Sequence, residues 1–264
     1  MNPVPPAIID AMTQPIIDGA DPWSHVGEHQ QGALVLHGFT GNPGSMRGLA
    51  EALAEAGFHV EMPLLPGHGT SVDDMVPTRW ADWAGEAEAA YQRLRLRVSD
   101  IVVCGLSMGG ALAMRVGVDH PDVAGLVCIN PVTQPQVPDV IEMLRGMVDG
   151  GTPVLPGIGS DIADPDAKET AYEGTPIEAL LSLLVDGIEP LNREYPGMRV
   201  PLLLMSSPQD HVVEPAQGDY LVERYGGQLE RTTLERSYHV ATQDYDKDLI
   251  FESTIKFASR VTAQ

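Results

Sequence analysis

The chain has 264 residues, with 37 Asp and Glu against 16 Lys and Arg, which gives a formal net charge of −21. A surface this acidic repels nucleic-acid phosphates and anionic lipid headgroups, so a partner of either kind is excluded. Hydrophobic residues make up 43% and charged residues 20%, a balance too apolar for disorder and suited to one large core with a decoration.

The first residues, MNPVPPAIIDAMTQP, carry no basic leader and no long apolar stretch, and do not read as a signal peptide. Residues 33–37 (ALVLH) read as a short buried strand. Residues 45–56 follow with helical spacing (Met46, Leu49, Leu53) and stop at Gly57. A second strand is expected over 58–62. A long amphipathic helix covers 80–98, with Trp80, Trp83, Ala87, Tyr91 and Leu94 on one face. Strands at 101–104 and 123–129 bracket a helix at 109–119. Further strands are expected at 202–205 and 228–234, and a helix over 249–261 closes the chain. No apolar run reaches the ~18 residues that span a bilayer, so stable membrane insertion is not expected.

Near-continuous apolar strands alternating with helices predict an α/β protein, a mostly parallel, doubly wound sheet with helices on both faces. In such sheets ligands bind beyond the carboxyl ends of the strands, here the loops after His37, Cys104, Ile129, Met205 and Leu234. Between the fourth and fifth recognised strands the interval is far longer than a crossover needs. It holds helical patterns at 137–148 and 176–187 around a Gly/Pro-rich stretch, which reads as a cap. The expected division is a core of residues 1–131 and 200–264 with a cap insertion at 132–199.

Gly105-Leu106-Ser107-Met108-Gly109 fits G-x-S-x-G directly after a strand and directly before a helix. Small flanking residues let the backbone take the tight turn that pushes a serine hydroxyl forward, and the helix N-terminus aims amide donors at it. A serine nucleophile needs a base, and the base an orienting acid. In chain order Ser, acid, His, the base comes from His239, with His211 as the alternative. Asp210, four residues past the fifth strand, is the leading acid; Glu214, Asp186 and Asp244 are alternatives. Oxyanion donors are expected from the N–H groups of Met108 and Phe39, with Gly38 turning the backbone inward. His37 and His68 read as structural histidines. Cys104 and Cys128, inside apolar strands and without metal-ligand spacing, read as buried free thiols, which suits the cytoplasm. No metal and no organic cofactor is expected.

The segments HGFTG (37–41), PGHGT (66–70), GLSMGG (105–110), GIGSD (157–161), QDHVV (209–213) and SYHVATQDYD (237–246) together resemble the α/β-hydrolase superfamily. Within it, the set is similar to bacterial monoacylglycerol lipases and the related short-chain carboxylesterases of thermophilic bacilli. The resemblance implies the α/β-hydrolase fold, with Ser107 as nucleophile, Asp210 as acid, His239 as base, and Phe39 and Met108 as oxyanion donors. It also implies that Ile158 narrows an acyl tunnel and that Glu169 contacts glycerol hydroxyls. Residues 1–32 depart from the pattern and show no strand pair, which leaves the first two superfamily strands missing or rearranged.

The expected activity is hydrolysis of carboxylic esters through an acyl-serine, with monoacylglycerols and short- to medium-chain esters as small-molecule lipid or ester substrates. A thioesterase or xenobiotic carboxylesterase, and a non-catalytic binder of a hydrophobic small molecule, are the competing readings.

Overall fold

The computed structural model describes residues 14–157 and 159–263. With strands numbered along the chain, β1 (Trp23–His25), β2 (Gln31–Leu36), β3 (His59–Met62), β4 (Asp100–Leu106), β5 (Gly125–Ile129), β8 (Leu202–Ser206) and β9 (Leu229–Thr233) form one sheet. The spatial order is β1-β3-β2-β4-β5-β8-β9. Every neighbouring pair is parallel except β1 with β3.

The period-2 geometry of the strands builds two cores from the same apolar runs. Leu34, Leu36, Val103, Cys128 and Leu204 point to one face, where α3 (Trp80–Arg95) and α4 (Met108–Asp119) bury Trp83, Leu94 and Leu112. Ala33, Val35, Val102, Cys104 and Met205 point to the other, covered by α1 (Arg47–Glu55) and α9 (Lys247–Val261) through Leu49, Leu53, Ile250 and Phe257. Because both faces are covered, the central strands carry no polar alternation. Cys104 and Cys128 are free and buried at the middle of this sheet. Desolvation pushes the Cys104 thiol up to about 12 and the Cys128 thiol up as well.

In place of a strand pair, the described residues up to 32 contribute one whole strand, β1, which runs antiparallel to β3 with Trp23 opposite Met62 and His25 opposite Val60. Three residues are too few for a periodic signal. The strand is fixed by tertiary contacts instead: Ser24 Oγ donates to Glu61 at 2.7 Å, and Glu61 also receives the Arg97 guanidinium. Two short helices were also not expected, α2 (Val72–Met75) and α8 (Ala216–Arg224).

Between β5 and β8 the chain leaves the sheet. It forms α5 (Pro138–Asp149), a small hairpin of β6 (Val154–Pro156) and β7 (Gly174–Pro176), and α6 (Ile177–Ser182). The last runs through a π-helical turn (Leu183–Ile188) into α7 (Glu189–Asn192). These elements share a small core of Leu144, Ile177 and Leu184. They are fastened to α3, where the Trp80 N–H donates to Ser182 Oγ at 3.2 Å. Gly187 lies flat on the Trp80 indole, where a Cβ would stand 2.7 Å from the ring. No helix among the described residues is long and apolar enough to cross a membrane.

Candidate active site

Parallel strands deliver their carboxyl ends to one edge of the sheet, and the backbone departs from ordinary geometry there. Thr40, Ser107 and Asn130, in the loops after β2, β4 and β5, are the non-glycine residues with positive φ among those described, at 60°, 57° and 43°. Residues held in this region carry strain that the surroundings must over-determine, and such residues cluster at functional sites.

Ser107 sits between β4 and α4 with φ 57° and ψ −117°. Its flanking glycines are required by contact. A Cβ on Gly105 would lie 2.0 Å from the Gly109 carbonyl oxygen, and one on Gly109 would lie 2.2 Å from the carbonyl oxygen of Leu36. Met108 is the first residue of α4, so its N–H belongs to the helix turn that has no intrahelical acceptor.

His239, in the loop after β9, faces Ser107 across a shared cavity. Its Nδ1 lies 2.7 Å from Oδ2 of Asp210, in the loop after β8. The other carboxylate oxygen of Asp210 accepts the N–H groups of Val212 and Val213, both at 2.8 Å. With Nδ1 occupied, Nε2 is the ring nitrogen left toward the cavity. Among the described residues no hydrogen bond closes between Ser107 Oγ and His239; contacts of this type shorten in the Michaelis complex.

The other candidates are engaged elsewhere. His211 is mostly exposed and pairs with Asp161 at 2.8 Å. Asp186 accepts from Ser182 Oγ at 2.6 Å, inside the α6 region. Asp244 accepts the backbone N–H groups of Ala163, Asp164 and Tyr238. Glu214 is exposed, and its carbonyl oxygen accepts the Gln217 N–H at 2.9 Å.

Asn130 was not anticipated. Its side-chain amide donates to the carbonyl oxygen of His239 at 2.9 Å and to Ser207 Oγ at 3.0 Å, and its Oδ1 accepts the Ser207 N–H at 2.8 Å. It therefore ties the loop that carries Asp210 to the loop that carries His239. The sequence signal was an Asn at a strand end, a residue that tolerates positive φ.

In the loop after β2, Gly38 approaches so closely that a Cβ would stand 3.4 Å from Ser107 Cβ. His37 Nε2 accepts the Leu65 N–H at 3.1 Å, so the proton resides on Nδ1, which donates to the Gly38 carbonyl oxygen at 3.0 Å. That carbonyl shares a planar trans peptide with the Phe39 N–H, which must therefore point the opposite way. The Phe39 ring lines the cavity and also packs edge-on against Trp83 and His68, at 5.6 and 6.3 Å. Burial drives the His37 ring well below its ordinary pKa, helped by the adjacent His68, and lowers His68 to about 4. Both are neutral structural rings.

The cavity measures about 330 Å³. Ser107, His239, Gly38 and Phe39 form its floor, and Val140, Leu144, Leu180, Leu183 and Leu184 of the insertion form its apolar roof. The apolar residues of the helical pattern at 176–187 divide: Leu184 faces the cavity, Ile177 is buried in the insertion's own core, and Leu181 lines a separate cleft. Glu169 reaches the same cavity. Its carboxylate has no hydrogen-bond partner among the described residues, and it lies over Gly41, where a Cβ would stand 2.8 Å from Oε1. Burial pushes this carboxyl up to about 7, against a smaller downward pull from His239. Ile158 lies outside the described residues. Among those described, no cluster of three or more His, Cys, Asp or Glu side chains could hold a metal ion.

A parallel sheet with a strained serine at the turn into a helix, facing a His–Asp pair across a capped cavity, has the architecture of the α/β-hydrolase superfamily of serine hydrolases. The chain belongs to the Hydrolase_4 family, described as serine aminopeptidase, S33, whose profile matches residues 27–246. It is 40% identical over 249 residues to a thermostable monoacylglycerol lipase of Bacillus sp. (strain H-257), covering 93% of this chain and 97% of that one. It is 27% identical to a carboxylesterase of Bacillus subtilis (strain 168), covering 86% and 92% respectively. A solved structure from work on the metagenome-derived lipolytic enzymes LipS and LipT superposes with a TM-score of 0.86 at 40% identity, covering 93% of this chain and all of that one.

Proposed function

We propose that the chain is a carboxylic ester hydrolase that cleaves monoacylglycerols and short- to medium-chain acyl esters through an acyl-serine. The observation that carries this reading is the Asp210–His239 pair at 2.7 Å, opening onto the same apolar cavity as Ser107.

In this reading Ser107 Oγ attacks the ester carbonyl carbon while its proton passes to His239 Nε2. Asp210 holds the ring in the tautomer that accepts there and stabilises the imidazolium. The carbonyl oxygen becomes an oxyanion facing the N–H groups of Phe39 and Met108. Collapse expels the alcohol, which takes the proton from His239. A water molecule then gives a proton to His239 and attacks the acyl carbon, and the fatty acid leaves as Ser107 regains its proton.

The apolar roof suits an acyl chain, and the Glu169 carboxyl, which has no hydrogen-bond partner among the described residues, suits the glycerol hydroxyls as donor or acceptor. Ile158 is assigned to the acyl tunnel on resemblance. The reading takes residues 1–131 and 200–264 as core and 132–199 as cap. Two free buried cysteines support a cytoplasmic location.

The test is a substrate profile. Monoacylglycerol and p-nitrophenyl esters of graded chain length are compared with diacylglycerol, an acyl thioester and an aminoacyl p-nitroanilide. The highest kcat/KM is expected on monoacylglycerol. A preference for the anilide would overturn the ester reading, and a preference for the thioester would move the substrate class.

A further inference from the structure

Asp161 lies in the segment that returns from the α5 side of the insertion toward the core, and the acyl-transfer steps give it no part. Its side chain is only 13% exposed. Oδ2 accepts the backbone N–H of His211 and the backbone N–H of His239, each at 3.1 Å. Oδ1 lies 2.8 Å from His211 Nδ1, and the Asp161 carbonyl oxygen accepts the Val240 N–H at 3.0 Å. One carboxylate thus bridges the residue after Asp210 and His239 itself.

The rest of the segment is held just as firmly. Asp244 receives the N–H groups of Ala163 and Asp164. Further on, the Tyr172 N–H donates to the Thr40 carbonyl oxygen at 3.0 Å, and Asn42 Nδ2 donates to the Thr170 carbonyl oxygen at 2.6 Å. Residues 161–172 therefore connect the loop carrying the base to the loop carrying Phe39.

We propose that Asp161 is a positioning residue for the reaction, fixing where the His239 ring stands over Ser107 and coupling the insertion to the Asp210–His239 pair. Hydrogen bonds to an ionised acceptor are stronger than neutral ones, and two amides converging on one oxygen leave the His239 backbone little freedom. His211 has a part in this arrangement. Its ring occupies the remaining carboxylate oxygen and packs edge-on against Tyr238, the residue before the base, at 4.5 Å. The proposal rests on Ser107, Asp210 and His239 being the reacting set.

The test compares Asp161→Ala, Asp161→Asn and Asp161→Glu with Ser107→Ala in one assay, with folding followed by circular dichroism. Displacing a reacting group by about 1 Å costs up to about 10²-fold. Asp161→Ala is therefore expected to lose about 10- to 100-fold in kcat with KM changed less than threefold. Asp161→Asn keeps an oxygen for both amides and is expected within about threefold of the parent kcat. If the alanine variant does not fold, Asp161→Glu carries the test, since it keeps the charge but moves the oxygens by one methylene, and at least a tenfold loss of kcat is expected. Parent kcat in a folded Asp161→Ala or Asp161→Glu variant overturns the proposal, as does an asparagine variant no better than alanine. Full activity in Ser107→Ala would instead overturn the reading on which it rests.

Discussion

Oδ2 of Asp210 lies 2.7 Å from Nδ1 of His239, with the two side chains 2% and 9% exposed. So close a contact out of water fixes the imidazole tautomer: the proton sits on Nδ1 and the lone pair on Nε2 faces the cavity. Asp210→Asn keeps the shape but can offer an N–H where the carboxylate accepts, which favours the wrong tautomer. The expected result is a loss of about 10⁴-fold in kcat with KM little changed. Steady-state kinetics on a p-nitrophenyl ester measure it, and a loss of less than tenfold would show that the acid lies elsewhere.

The turn at Ser107 is made possible by the absence of side chains around it. In Gly109→Ala the new methyl would meet the Leu36 carbonyl oxygen at 2.2 Å, and backbone on both sides prevents an easy escape. The expected cost is about 3 kcal/mol or more, beyond the ordinary range of overpacking. For a chain of this length that lowers the Tm by roughly 5 °C or more. A thermal melt within 2 °C of the parent would contradict the close approach of α4 to β2.

Two groups impose opposite pH dependences on stability. His68 is lowered from 6.5 to about 4 by burial, so the unfolded chain binds its proton more readily. Its stabilising effect is complete above pH 6.5 and is lost as pH falls through 4, on the order of 3 kcal/mol in all. Glu169 is raised from 4.5 to about 7, so its effect is complete below pH 4.5 and is lost as pH rises through 7. Melts of Glu169→Gln and the parent are expected to coincide near pH 4.5 and to separate by pH 8, with the glutamine variant more stable. A separation independent of pH would contradict the burial of that carboxyl.

Leu180 projects from α6 into the cavity roof. Leu180→Trp fills space that a long acyl chain would use and leaves the floor around Ser107 untouched. Its kcat/KM is expected to fall more than tenfold for a twelve-carbon p-nitrophenyl ester and less than threefold for a four-carbon ester, within the range that pocket shape discriminates. An equal fall for both would place the acyl chain elsewhere.

Much of this was legible in the sequence because the signals were local. The buried strands, the glycines around Ser107 and the histidine in the last loop each declare themselves within a few residues. What was not legible depends on distant partners. The three residues of β1 are seen as a strand through their pairing with β3, where Ser24 meets Glu61 across the sheet edge. The π-helical turn at Leu183–Ile188 contains Gly187, which packs on Trp80 from a distant helix. Asn130 and Asp161 look like ordinary loop residues until their hydrogen bonds to the loops of Asp210 and His239 are seen. His211, a plausible base from its position beside Asp210, is set apart by its pairing with Asp161.

The role of Ser107 is open to a single measurement: intact-protein mass after treatment with a fluorophosphonate, paired with the esterase activity of Ser107→Ala. One adduct per chain is expected, mapping to Ser107, with none on the alanine variant and a loss of at least ~10⁴-fold in its turnover. An adduct on another residue, or an alanine variant within tenfold of the parent, would contradict nucleophilic attack by this serine.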